Sequence, residues 1–116
     1  MDGLRDVDRR EFEALVRAYR EELGPKLKSM QASAAALVRD GWDQPTVEAL
    51  YQQAHRIVGS SGVYGLASLA RAAGILEELL KSLLKGPSWP PSDSPRHLAT
   101  VIKAVKQAAR HDDDAG

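Results

Sequence analysis

Cysteine is absent from the chain, which excludes disulfides, thiolate metal sites and a cysteine nucleophile. Aromatic residues are few, two Trp, three Tyr and one Phe. A core must therefore be built from Leu, Ala, Val and Ile, a composition that favours helix over sheet. Neither sign of charge is in excess. Sixteen basic residues stand against sixteen acidic ones, so the chain lacks the positive field that a nucleic-acid binder uses, and no nucleic-acid partner is expected. No apolar run approaches the ~20 residues of a membrane span, and Met1-Asp2-Gly3-Leu4-Arg5-Asp6 is too polar for a signal peptide. No membrane association and a cytoplasmic location are expected. The three histidines, His55, His97 and His111, include no pair at i,i+3 or i,i+4, so no metal site is expected either.

What is present is helical periodicity over 116 residues, 43% of them apolar and 28% charged, enough for one soluble domain with a single core. Asp6 or Asp8 can cap a first helix whose apolar face is Phe12, Leu15, Val16, Tyr19 and Leu23. Gly24-Pro25 predicts a break or kink, because proline removes a helical hydrogen bond and biases the preceding residue away from helix. Leu27, Met30, Ala34, Leu37 and Val38 continue the stripe until Asp40-Gly41. After Trp42-Asp43-Gln44, Pro45 suits a first helical turn, and Val47, Leu50, Ala54, Ile57, Ser61 and Tyr64 mark an inward face. Gly62 and Gly65 locate the end of that helix. Leu66, Leu69, Ala73, Leu76, Leu80 and Leu83 form the next stripe. The segment 86–93, with three prolines, is a loop. Ser94-Pro95 opens a last helix with Leu98, Val101, Ile102 and Val105 inward.

These elements predict an all-α fold, an antiparallel four-helix bundle with a short additional N-terminal helix. The expected extent is one domain over 1–116, with the bundle at about 8–111 and a polar tail at 112–116. Met1 and the self-contained set of helices lead to the expectation of a free-standing protein, a monomer rather than a dimer.

The centre of interest is Ala54-His55-Arg56-Ile57-Val58-Gly59-Ser60-Ser61. His55 lies on the flank of the inward stripe, with Gln52, Gly59 and Gly62 as same-face neighbours. A mid-helix glycine costs roughly 1 kcal/mol relative to alanine, so Gly59 suggests that bulk beside the imidazole is unwanted. If the chain turns near Leu66, the residue opposite His55 lies near position 77. Glu77 and Lys81, at i,i+4, share one face there. A carboxylate beside the ring can orient it and fix which nitrogen carries the proton; an ammonium can attract a phosphoryl group. The same residues also have plainer readings: a partly exposed histidine, a glycine that permits close helix contact, and a surface ion pair worth little.

This stretch, followed by Tyr64-Gly65-Leu66 and by Leu69-Ala70-Arg71-Ala72-Ala73-Gly74-Ile75-Leu76-Glu77, resembles the histidine phosphotransfer (HPt) family of two-component phosphorelays. The resemblance covers residues 45–85 closely and the remainder by helix count. It implies that Nε2 of His55 accepts a phosphoryl group from a receiver-domain aspartate and passes it to another. It implies partners that are response-regulator receiver domains or a hybrid sensor kinase, and no kinase activity or cofactor of this chain's own. Mg²⁺ is expected on the receiver. With Glu77, Lys81 and Gly59 supporting the histidine, the docking face is expected to hold Gln52, Arg56, Gly59, Gly62 and Arg71. Val58 departs from the family pattern, standing where many members have lysine; Lys81, Arg56 or Arg71 could supply that charge. Val58 also favours an alternative, a helical adaptor that binds receivers without accepting phosphate. A four-helix module holding a metal or small ligand is a second alternative. The inward positions contain no cluster of carboxylates or histidines for it.

Overall fold

The computed structural model describes residues 2–86, 88–90 and 94–115. It contains four helices, α1 (Asp2–Asp40), α2 (Gln44–Val63), α3 (Ala67–Leu83) and α4 (Ser94–Ala115), and no strand among the described residues. The fold is an all-α four-helix bundle. The inward stripes converge on one core in which Met30, Leu37, Val47, Leu50, Leu69, Leu76, Leu80, Leu98, Ile102 and Val105 are fully buried. The most extensive helix pair is α2 with α3. Ala54 and Ala73, both buried, stand on its inner faces, and such small side chains let two helices approach closely. No helix of the described residues is long and apolar enough to cross a membrane.

Helix ends follow local chemistry. Gly41 (φ 96°) and Gly65 (φ 72°) adopt left-handed backbone after α1 and α2, a conformation that side-chain-bearing residues avoid. The Gly41 N–H donates to the Leu37 carbonyl at 3.0 Å and the Leu66 N–H to the Ser61 carbonyl at 2.9 Å, closing carbonyls the helices leave open. Asp43 caps α2, its carboxylate accepting from the Thr46 N–H at 3.2 Å, with Pro45 in the first turn.

One sequence expectation is corrected. The separate short N-terminal helix is the first half of α1, which runs unbroken through Pro25 for 39 residues. At 1.5 Å per residue that is about 58 Å, against a longest molecular dimension of 59 Å. Pro25 deprives the Glu21 carbonyl of its partner, but Glu21 is exposed and water can serve it. Leu23, Leu27 and Met30, buried on either side of the proline, hold both halves to the same core. Helix therefore begins well before Asp6 and Asp8, the expected caps. Pro25→Ala is expected to raise unfolding free energy by about 2 kcal/mol in urea titration; an unchanged or lower value would show that the proline is accommodated without penalty.

α4 continues to Ala115, through most of the expected polar tail; Gly116 lies outside the described residues. In the expected loop, Ser88, Trp89 and Pro90 are non-helical, while Pro87 and 91–93 also lie outside the described residues. Trp89 meets Trp42 edge to face at 4.9 Å between centroids, tying the α3–α4 connection to the α1–α2 turn.

Candidate functional site

His55 occupies the α3-facing flank of α2, about 100° round the helix from buried Ala54. Its side chain is 66% exposed. The antiparallel α2–α3 pair brings Glu77 to it, and Nδ1 of His55 bonds Oε2 of Glu77. The Glu77 side chain is only 18% exposed, held in the seam by α3, whose Ala73, Leu76 and Leu80 are buried on either side. Where the imidazole is neutral, a carboxylate at Nδ1 places the ring proton there and leaves the lone pair on Nε2.

A second ring completes the setting. Tyr51, one helical turn before His55, lies nearly parallel to it, with centroids 6.2 Å apart and an interplanar angle of 21°. Tyr51 is half-buried and packs against the core, so it is anchored where His55 is not. The sequence reading passed over Tyr51; its i−4 spacing from the histidine was the available signal.

The surface beside His55 is bare. A Cβ placed at Gly59 or Gly62 would meet nothing within 4 Å, and the same holds at Gly74 on α3. Gly59 therefore does not serve helix contact within the chain. Gln52 is exposed one turn before His55. Behind α2, the Tyr19 hydroxyl meets Ser60 Oγ at 2.7 Å, and Ser60 donates to the Arg56 carbonyl at 2.7 Å. Burial pushes the Tyr19 phenol above its ordinary pKa, which keeps it protonated as the donor in this chain. The link fixes α1 against the half of α2 that carries His55.

The basic residues separate into different places. Lys81 follows Glu77 by one turn on α3, exposed, and the Glu77 carboxylate is engaged by His55 rather than by Lys81. Arg56 turns away to line the α1–α2 groove with Tyr19, Lys26 and Gln53. Arg71 lies six residues before Glu77, roughly 120° round α3 from it. Of the three, Lys81 alone shares the Glu77 face. Val58 is partly buried and packs against the core, so this position adds apolar contact rather than charge.

Among the described residues no group of three His, Asp or Glu side chains is arranged to hold a metal ion. No curated protein and no solved structure gives a significant match to the chain. A family model described as the Hpt domain matches residues 14–111, a span that takes in the bundled part of α1, the whole of α2 and α3, and α4 as far as His111. With four bundled helices, a histidine exposed on the second and a carboxylate from the third at its Nδ1, the chain belongs to the Hpt domain family.

Proposed function

We propose that this chain is a phosphocarrier in a two-component phosphorelay, and that His55 is its phosphoacceptor. Hpt domains act in phosphotransfer and interact with receiver domains and kinases. The observation that carries the reading to His55 is the Glu77 carboxylate at Nδ1 of an exposed imidazole.

The chemistry follows from that placement. The Nε2 lone pair attacks the phosphorus of a receiver's aspartyl phosphate; the N–P bond forms as the P–O bond breaks, and the electron pair leaves with the aspartate carboxylate. Nδ1 keeps its proton, so the phosphorylated ring gains positive charge, and Glu77 offsets it. The second transfer reverses these steps onto another receiver aspartate. Phosphoryl transfer is chiefly positioning and charge neutralisation. The receiver would bring Mg²⁺; this chain brings the aimed nucleophile, the bare flank at Gly59 and Gly62, and Lys81 as a nearby cation. Gln52 would lie within the docking face. Arg56 and Arg71 would meet only a partner that wraps beyond the α2–α3 face.

Incubation with a phosphorylated receiver domain tests the reading: acid-labile label should appear on this chain and map to His55. Receiver binding with no transfer of label would establish the second reading, a phosphate-free adaptor, which the apolar Val58 favours. Glu77→Ala is expected to slow transfer about ten- to hundredfold, the range known for carboxylates that orient metal-bound histidines. It should also give mixed tautomers by ¹⁵N chemical shift. An unaltered rate would remove Glu77 from the mechanism.

A further inference from the structure

The Glu77 contact alone leaves the His55 ring one freedom. A hydrogen bond at Nδ1 lies in the ring plane, and because the Glu77 carboxylate can follow Nδ1, coupled turns about the Cα–Cβ and Cβ–Cγ bonds of His55 still tilt the ring. Tilting swings the Nε2 lone pair, which also lies in the ring plane. In-line displacement needs that lone pair aligned with the bond being broken, and small misplacements of a reacting group carry large rate penalties.

Tyr51 supplies a restraint of the complementary kind. Its ring lies near-parallel to the imidazole, 6.2 Å away between centroids and at 21°, within the range in which aromatic pairs attract. A near-parallel neighbouring ring resists tilt that would turn the imidazole into it, which a hydrogen bond in the plane does not. The two partners also come from different elements, Tyr51 from α2 itself and Glu77 from α3, so they hold the ring from two directions. The restraint is anchored: Tyr51 packs against the core, while the neighbouring His55 side chain is 66% exposed.

We propose that Tyr51 is a positioning residue that fixes the plane of the His55 imidazole, and so the direction of the Nε2 lone pair, for phosphoryl transfer. This rests on His55 being the phosphoacceptor. The aromatic ring carries the effect; the tyrosine hydroxyl is dispensable. The step itself is unchanged: Nε2 attacks, and Nδ1 stays with Glu77.

The test uses the full chain with Tyr51→Phe and Tyr51→Ala, a phosphorylated receiver domain, and NMR of the unphosphorylated proteins. Tyr51→Phe should keep the maximal transfer rate within about twofold, and Tyr51→Ala should lower it about tenfold at an unchanged half-saturating receiver concentration. In Tyr51→Ala the Nδ1-protonated tautomer should persist, because Glu77 remains. The ring protons of His55 should lose the shift imposed by the neighbouring aromatic ring, and the ring's order parameter should fall. A maximal rate unchanged in Tyr51→Ala, a loss confined to half-saturation, or equal damage from Tyr51→Phe would overturn the proposal. If the native chain takes no label while the NMR changes occur as stated, the phosphoacceptor reading fails and the proposed transfer role goes with it, leaving ring restraint as a structural property. Label on His55 that is indifferent to Tyr51→Ala overturns the positioning role and leaves the phosphoacceptor in place.

Discussion

His55→Gln is expected to abolish acceptance of label from a phosphorylated receiver, a loss of roughly a thousandfold or more, as for removal of any nucleophile that carries a covalent intermediate. Glutamine can reach the Glu77 carboxylate with its amide N–H, so the partly buried acid keeps a partner. It has no nitrogen lone pair able to form the N–P bond, because amide resonance consumes it. Since the native side chain is 66% exposed, thermal unfolding should move little, within about 0.5 kcal/mol. Receiver binding, measured by calorimetry with an unphosphorylated receiver domain, should survive. Loss of chemistry with retention of fold and docking separates a nucleophile from a structural residue. Label retained at the native level would sink the assignment of His55.

Gly59→Gln is expected to move stability and transfer in opposite directions. No atom lies within 4 Å of a Cβ at Gly59, so the new side chain meets no obstacle inside the chain. Replacing a mid-helix glycine should then stabilise α2 by about 0.5–1 kcal/mol. The same side chain would stand one turn from His55 on the surface a partner must approach. Obstruction at the centre of an interface is commonly worth about 2 kcal/mol or more, so half-saturation for the receiver should rise roughly thirtyfold. Initial rates over a range of receiver concentrations, together with urea titration, measure both. A more stable variant with unchanged half-saturation would show that the bare flank is not where partners dock.

Much of this was legible in the chain because the signals were local and repeated. The apolar stripes of α2 and α3 are set by side-chain periodicity, and the glycine at position 65 fixes where the chain reverses. Together they put position 77 opposite 55, which is where the structure finds Glu77. The fate of Gly24-Pro25 was not legible. Local propensity argues for interruption, and burial of Leu23, Leu27 and Met30 on a common core overrides it. That is a tertiary effect, and it depends on neighbours supplied by α2 and α4. The basic residues show a related limit. Arg56, Arg71 and Lys81 are equivalent as charges in a sequence. Only their angular positions on packed helices show that Lys81 shares the Glu77 face while Arg56 lines another groove. Tyr51 was overlooked for a different reason: an aromatic one turn from a histidine reads as ordinary core until its ring plane is known.

The contact between Glu77 and Nδ1 of His55 also bears on the direction of signalling. On the proposed chemistry the carboxylate holds the same proton before the phosphoryl group arrives, while it is carried and after it leaves. The ring needs no tautomer exchange to change from acceptor to donor, so arrival and departure present the same kinetic route traversed in opposite senses. Such a carrier has no built-in preference for forward flow. Net flux would follow the relative stabilities and concentrations of the two receivers' phosphorylated forms, and a receiver that hydrolyses its phosphate quickly could drain the relay backward through this chain.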